Sequence, residues 1–284
     1  MKVLLPLFVL SALAWGWICP ACGTENSGAF CSYCDIPEPP EGMEFVEASV
    51  VVIDGEDIEV GSFFIDSEPV ICRDVLSWLT DEIQHLQEIP IYISGQEDLL
   101  MPGEAMGEEY ANIVFVRYSP WVIYKDAQGS LISITVQTGC FDIPAASLTW
   151  QAASLYLQDR GSRLPSRAEL TAATEAGIIE IEDMWEVLNT YSDFIIMTLS
   201  GILGISPANL AMFLEIQPPA DRVMWEWTRD AWGQTPGSLS ELESPYALIF
   251  KPVIPPVAGT ALRGSGYYNV IFRGVVSIPW IEKN

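Results

Sequence analysis

The chain contains one histidine, His85, among 284 residues. Neutral imidazole is the commonest metal ligand and the usual proton-transfer group near neutral pH, so sites built from several histidines are excluded. Basic residues are also scarce: 13 Lys and Arg stand against 38 Asp and Glu, a net charge of −25. Nucleic acids and anionic membranes recruit basic patches, and neither is expected as a partner. The acidic excess itself serves solubility. No G-x-S-x-G elbow, H-E-x-x-H helix, phosphate-binding loop or dinucleotide-binding glycine motif occurs. Cysteine is missing from everything beyond Cys140. His85 follows Asp81, Glu82 and Gln84 at a polar helix end and reads as a solvated residue.

Half of the residues are hydrophobic by type, enough for one sizeable core or two modest ones. Residues 1–16 read as a secretory signal peptide: Lys2, an apolar run over 3–14, then the small-x-small sites Ala12-Leu13-Ala14 and Ala14-Trp15-Gly16. The run is shorter than the ~20 apolar residues that span a bilayer. Export to the periplasm or the extracellular space is the expectation.

Residues 17–36 hold two C-x-x-C knuckles, Cys19/Cys22 and Cys31/Cys34, eight residues apart. Four thiolates so spaced can surround one zinc ion tetrahedrally. Gly23, after Cys22, suits the tight turn that aims backbone N–H groups at sulfur. A structural zinc ribbon is the leading reading. Two disulfides are the alternative in an exported chain, where zinc thiolates oxidise more readily. A thioredoxin-like redox pair ranks third, since it needs a βαβ context. Residues 37–44 form a Pro/Glu linker and 45–284 a second domain.

Within that domain, 50–53 and 58–65 read as strands around the turn Asp54-Gly55. Val75, Leu76, Leu79 and Ile83 form a core-facing helical stripe. Strands are expected at 91–93, 113–116, 121–124 and 132–136, with a loop over 95–107. A helix is expected over 144–161. A second helix opens with the capping box Ser166-x-x-Glu169 and stops at Gly177. Residues 194–214 carry no charge, but Gly201, Gly204 and Pro207 interrupt them. Two buried short helices are expected there rather than a membrane span, and the segment is also a candidate hydrophobic partner surface. Cys72 and Cys140 are left over, either paired or free and buried.

Several stretches recur in a fixed order: Arg163-Leu164-Pro165-Ser166 with Glu169, Trp225-Glu226-Trp227-Thr228 with Asp230, Leu262-Arg263-Gly264-Ser265, and Phe272-Arg273. Phe63-Phe64-Ile65-Asp66, with Val70, adds an early strand motif, although Ile71-Cys72 replaces its usual Thr-Asn sequel. In that order they resemble the sulfatase-modifying-factor family, which includes the formylglycine-generating enzymes. The resemblance implies an α+β fold, a C-type-lectin-like variant; over about 178–222 the chain departs most from the family, and this stretch reads as a hydrophobic insertion.

It implies less about chemistry. Formylglycine-generating enzymes carry a copper-binding cysteine pair after R-G-G-S and another cysteine after G-F-R. Here Tyr267-Tyr268 and Gly274 stand at those places. Ergothioneine-type relatives hold iron with several histidines, and one histidine cannot. The family's calcium site near W-E-W is a further candidate, with Glu226 and Asp230 as hard-oxygen ligands, but Arg222-Val223 replaces its Gly-Asn pair. Trp225, Glu226, Trp227, Asp230, Arg263 and Arg273 are the candidate ligand-binding residues. The expected function is a non-catalytic binding or structural module for a protein or small ligand. An oxidoreductase with an unidentified site and an envelope assembly factor are the alternatives.

Overall fold

The computed structural model describes residues 16–81, 99–102, 112–115, 120–125, 131–179, 196–197, 200–201, 204–209, 224–231, 246–251, 257–262 and 270–278. It is a mixed α+β protein of small sheets and few helices. A two-stranded ribbon, β1 (Trp17–Ile18) and β2 (Glu25–Asn26), opens the chain. Then β3 (Met43–Val46) pairs with β6 (Phe63–Asp66), and a hairpin of β4 (Ser49–Ile53) and β5 (Glu56–Val60) lies between them in sequence. Asp54 and Gly55 both take positive φ, 54° and 87°, as a two-residue hairpin turn of the favoured hand requires. The strand expected over 58–65 is in fact two, β5 and β6, broken at Gly61-Ser62, where the Ser62 hydroxyl accepts from Ala48 N–H at 3.0 Å.

Helix α1 (Cys72–Asp81) follows, burying Val75 and Leu79 as the stripe implied. The meander β7 (Leu99–Pro102), β8 (Asn112–Phe115), β9 (Trp121–Lys125) and β10 (Leu131–Val136) forms a four-stranded antiparallel sheet. β7 lies inside the stretch read as loop, while the strand expected at 91–93 lies outside the described residues.

The next helix, α2 (Trp150–Asp159), starts later than expected, because Thr149 is its N-cap and accepts from Ala152 N–H. Ahead of it the chain turns, with Ser147 at φ 66° and Ala145 N–H bonded to the Val70 carbonyl. Helix α3 (Arg167–Glu175) carries the expected capping box in full, Ser166 and Glu169 satisfying each other's backbone N–H. Gly177 follows in the left-handed region, φ 68°.

Strands β11 (Trp225–Ala231), β12 (Tyr246–Lys251) and β13 (Val257–Leu262) are antiparallel neighbours, and β14 (Val270–Ile271) joins β11 in parallel. Finally β15 (Val275–Ser277) pairs with β6, so both ends of the domain meet in one three-stranded sheet. Two clusters fill the interior. One gathers α1, α2, Trp121, Trp227 and Phe272; the other packs α3 against Val51, Phe63, Ile65, Phe250 and Val275. Each such aromatic or branched aliphatic side chain contributes about 1.5–3 kcal/mol on burial. Cys72 and Cys140 are free thiols in the first cluster. Burial pushes Cys72 well above its usual range and Cys140 up to about 11.

Candidate metal centre

Among the described residues, Cys19, Cys22, Cys31 and Cys34 form the one group of thiols and carboxylates that could hold a metal ion, their sulfurs all within 4.8 Å of one another. Each knuckle is the same turn. Gly23 N–H bonds to the Cys19 carbonyl at 2.8 Å and Asp35 N–H to the Cys31 carbonyl at 3.0 Å. Cys19 N–H reaches the Thr24 carbonyl at 2.9 Å, as Cys31 N–H reaches that of Ile36 at 2.8 Å. The residue after the second cysteine is left-handed in both, Gly23 at φ 73° and Asp35 at φ 56°. Aspartate tolerates that region better than most residues, so the second knuckle closes without a glycine. The C-x-x-C-G pattern marked one turn, and the equivalence of Asp35 was missed.

Asn26 ties the two knuckles together. Its amide donates to the Thr24 carbonyl at 2.7 Å and accepts from Ser32 N–H at 2.9 Å and the Ser32 hydroxyl at 3.2 Å. The sulfurs converge accordingly: Cys19 to Cys34 3.4 Å, Cys22 to Cys31 3.5 Å and Cys22 to Cys34 3.7 Å. Four sulfurs at 2.3 Å from a tetrahedral zinc ion would lie about 3.8 Å apart. The cluster therefore fits a soft, four-coordinate divalent metal such as zinc. Cys22 sits 3.2 Å from the Thr24 hydroxyl, and hydrogen bonds from Thr24 lower its pKa. Desolvation works against ionisation at Cys31, but the N–H groups of Tyr33 and Cys34 outweigh it and bring the thiol down to about 6. Burial pushes Cys34 up to about 12. A bound cation would favour all four thiolates.

Of the other candidate ligand-binding residues, Glu226, Trp227, Asp230 and Arg273 face inward. Glu226 and Arg273 are 1% and 0% exposed. Arg273 donates to both Glu226 oxygens, Nε at 2.8 Å and Nη2 at 2.9 Å, and its Nη1 donates to the Asp66 and Ser67 carbonyls at 2.9 and 2.6 Å. Glu226, a candidate calcium ligand, thus meets a guanidinium with both oxygens. Trp227 is buried, its Nε1–H donating to the Leu148 carbonyl at 3.1 Å. Asp230, the other candidate calcium ligand, is buried and accepts from Arg167 N–H at 2.5 Å, on the first turn of α3, where a carboxylate suits the helix end. Trp225 is half-buried and lies under the Lys251 ammonium, 4.6 Å from ring centroid to Nζ. Arg263 lies outside the described residues.

The other motif residues meet in the same region. Arg163 clasps Glu169 at 2.6 and 2.9 Å, and its backbone pairs with Val275. Arg229 N–H bonds to the Pro165 carbonyl at 2.9 Å. Gly274 N–H donates to Asp66 Oδ2 at 2.7 Å, in a gap where a Cβ would stand 2.8 Å from that oxygen. The structure brings 63–66, 163–169, 225–230 and 272–274 into one hydrogen-bonded network, a link between Asp66 and Gly274 that spacing did not reveal. Of the uncharged stretch 194–214, Ile196 is buried, Met197 is 63% exposed and Ile205 41% exposed, and most of the remainder lies outside the described residues. No described helix is long and apolar enough to cross a membrane. No family model matches this chain, and no curated protein does.

Proposed function

We propose that the chain is an exported, non-catalytic module of the sulfatase-modifying-factor type, a C-type-lectin-like domain preceded by a structural zinc ribbon. Its role is to bind or scaffold, not to oxidise. The observation that carries this reading is the closed pair Glu226–Arg273: the most chemically capable residues of the motif region are buried on one another and on backbone carbonyls. Support comes from the convergence of four of the quoted motifs in one network, and from Tyr267-Tyr268 and Gly274 standing where catalytic cysteines are expected. For the ribbon, four protein ligands leave no open position for catalysis.

Metal analysis of the mature protein for zinc, copper, calcium and iron, with thiol titration before and after denaturation, tests this. About one zinc per chain is expected, with no copper or iron, and all four ribbon thiols counted once the chain is unfolded. Bound copper or iron would refute the non-catalytic assignment.

The exposure of Met197 and Ile205 favours a second reading, an envelope assembly factor that uses 194–214 as a partner surface. Deleting 194–214 would then leave a folded, monodisperse protein that no longer forms its complex.

A further inference from the structure

The four ribbon cysteines admit three disulfide connectivities, and their geometry selects one. The sulfur contacts of 3.4 Å (Cys19–Cys34) and 3.5 Å (Cys22–Cys31) both run between knuckles. Exposure divides the sulfurs as well, and would divide a within-knuckle pair equally. Cys22 is exposed and Cys34 partly so, while Cys19 and Cys31 are buried. Each of these two pairs therefore joins a sulfur that a solution reagent can reach to one that it cannot.

The geometry points to a thiol–disulfide exchange site on the ribbon that accepts low-molecular-weight disulfides and closes as Cys19–Cys34 plus Cys22–Cys31. The inference rests on the ribbon half of the proposed function. The Cys22 thiolate attacks a disulfide RSSR, forming Cys22–S–S–R and releasing RS⁻. The Cys31 sulfur, 3.5 Å away, then attacks the Cys22 sulfur and expels the second RS⁻. Cys34 reacts likewise and Cys19 resolves it from 3.4 Å. Two RSSR are reduced to four RS⁻, four cysteine thiolates are oxidised to two disulfides, and a divalent metal held by those thiolates leaves as the free cation.

The other two connectivities are disfavoured for separate reasons. Cys22–Cys34, at 3.7 Å, would leave Cys19 and Cys31 as a pair with no accessible member to start exchange. Bonds within a knuckle, Cys19–Cys22 and Cys31–Cys34, would have to close across turns each already held by two backbone hydrogen bonds, from Gly23 and Cys19 N–H in one and Asp35 and Cys31 N–H in the other. The cross-knuckle pairing needs sulfurs to approach by about 1.4 Å to reach a bond of about 2.05 Å. It leaves Asn26 and both knuckle turns in place. The ribbon can then keep its shape in a reducing setting by metal and in an oxidising one by two bonds, which reconciles zinc-type spacing with an exported chain.

The test uses the reduced full chain, with metal content measured first. Glutathione disulfide is added, free thiols are alkylated, and an elastase–chymotrypsin digest, cutting at Ala21 and Tyr33, is mapped by mass spectrometry without reduction. Expected are the cross-links Cys19–Cys34 and Cys22–Cys31, stoichiometric metal release, and Cys72 and Cys140 alkylated only after denaturation. Cys34→Ser should retain the Cys22–Cys31 bond. Linkage within the knuckles, the Cys22–Cys34 pairing, persistent glutathione adducts, or a ribbon that resists oxidation would each overturn the inference. Absence of metal at the outset would count against the zinc assignment alone, since the connectivity is read equally from the metal-free thiols.

Discussion

Replacing Arg273 with methionine removes a buried guanidinium that meets four acceptors. The wild-type guanidinium is fully buried and donates to two carboxylate oxygens and two carbonyls, at 2.6–2.9 Å. Methionine matches much of its length but strands Glu226, 1% exposed, as a buried anion without its counter-charge. Breaking a buried pair from one side costs about 3–5 kcal/mol. A domain holds only about 5–15 kcal/mol in total, so Arg273→Met should remain folded at low temperature and unfold far earlier in urea. Glu226→Gln keeps a hydrogen-bond acceptor but not the charge, and should cost less. The informative species is Arg273→Met with Glu226→Met. Neither member of the pair is then left charged without its partner, so its loss should fall well short of the summed single losses, by at least about 1–2 kcal/mol of coupling. The carbonyls of Asp66 and Ser67 still lose their donor, so full recovery is not expected. Urea titrations followed by tryptophan fluorescence and far-UV circular dichroism give the cycle. A single-mutant cost below about 1 kcal/mol, or additive losses, would refute the claim that the pair carries the region.

Three further outcomes follow from the same network. Gly274→Ala places a Cβ 2.8 Å from Asp66 Oδ2, 3.0 Å from Ser162 Oγ and 3.1 Å from Leu157 Cδ2; it should cost about 1–3 kcal/mol, and a thermal midpoint equal to the parent's would argue against that crowding. Ser166→Ala removes the acceptor for Glu169 N–H at the start of α3 and should cost about 1 kcal/mol in denaturant titrations, with the Arg163–Glu169 clasp limiting the loss. Asp66 supplies the pH test, because burial raises its carboxyl above the usual range, although Gly274 N–H, Arg160 and Arg273 pull the other way while Asp74 adds to the rise. A raised folded-state pKa gives stability that is complete below the ordinary carboxylate range and is lost as pH rises through the raised value. Asp66→Asn retains an acceptor for Gly274 N–H without the charge, so its thermal midpoint should exceed the parent's at pH 7 and the gap should close on acidification. A gap independent of pH would count against burial as the cause.

What could be read from the sequence was local. Asp54-Gly55 announces its hairpin because the turn needs two left-handed residues in succession. Ser166 and Glu169 announce α3 because a capping box is complete within four residues. The cysteine spacing announced the cluster for the same reason. Misreadings arose where distant partners decide. Pro144 looked like a helix start, but Ala145 bonds to Val70 and Thr149 takes the capping role. Leu99–Pro102 sits in acidic, Gly- and Pro-bearing sequence and becomes a strand because β8 pairs with it. Glu226 and Arg273 stand in the sequence as candidate ligand-binding residues, and no spacing rule shows that residues 47 apart pair with each other.

Under the proposed reading, the network explains how such motifs outlast the chemistry with which they are associated. Asp66 fastens Gly274, Arg273 fastens Glu226 and the turn at Asp66-Ser67, Asp230 fastens the first turn of α3, and Arg163 fastens Glu169 and Val275. Apart from the Arg163–Glu169 clasp, six residues apart, each link joins segments remote in sequence and closes a long loop, and loss of any one leaves a buried polar group without its partner. Selection for folding alone would hold these residues. Under the proposed reading, cysteines that serve only catalysis meet no such constraint, and Tyr267-Tyr268 stand where the family carries a pair. Under the proposed reading, a match to these motifs therefore reports the scaffold, and activity has to be judged from the thiol positions separately.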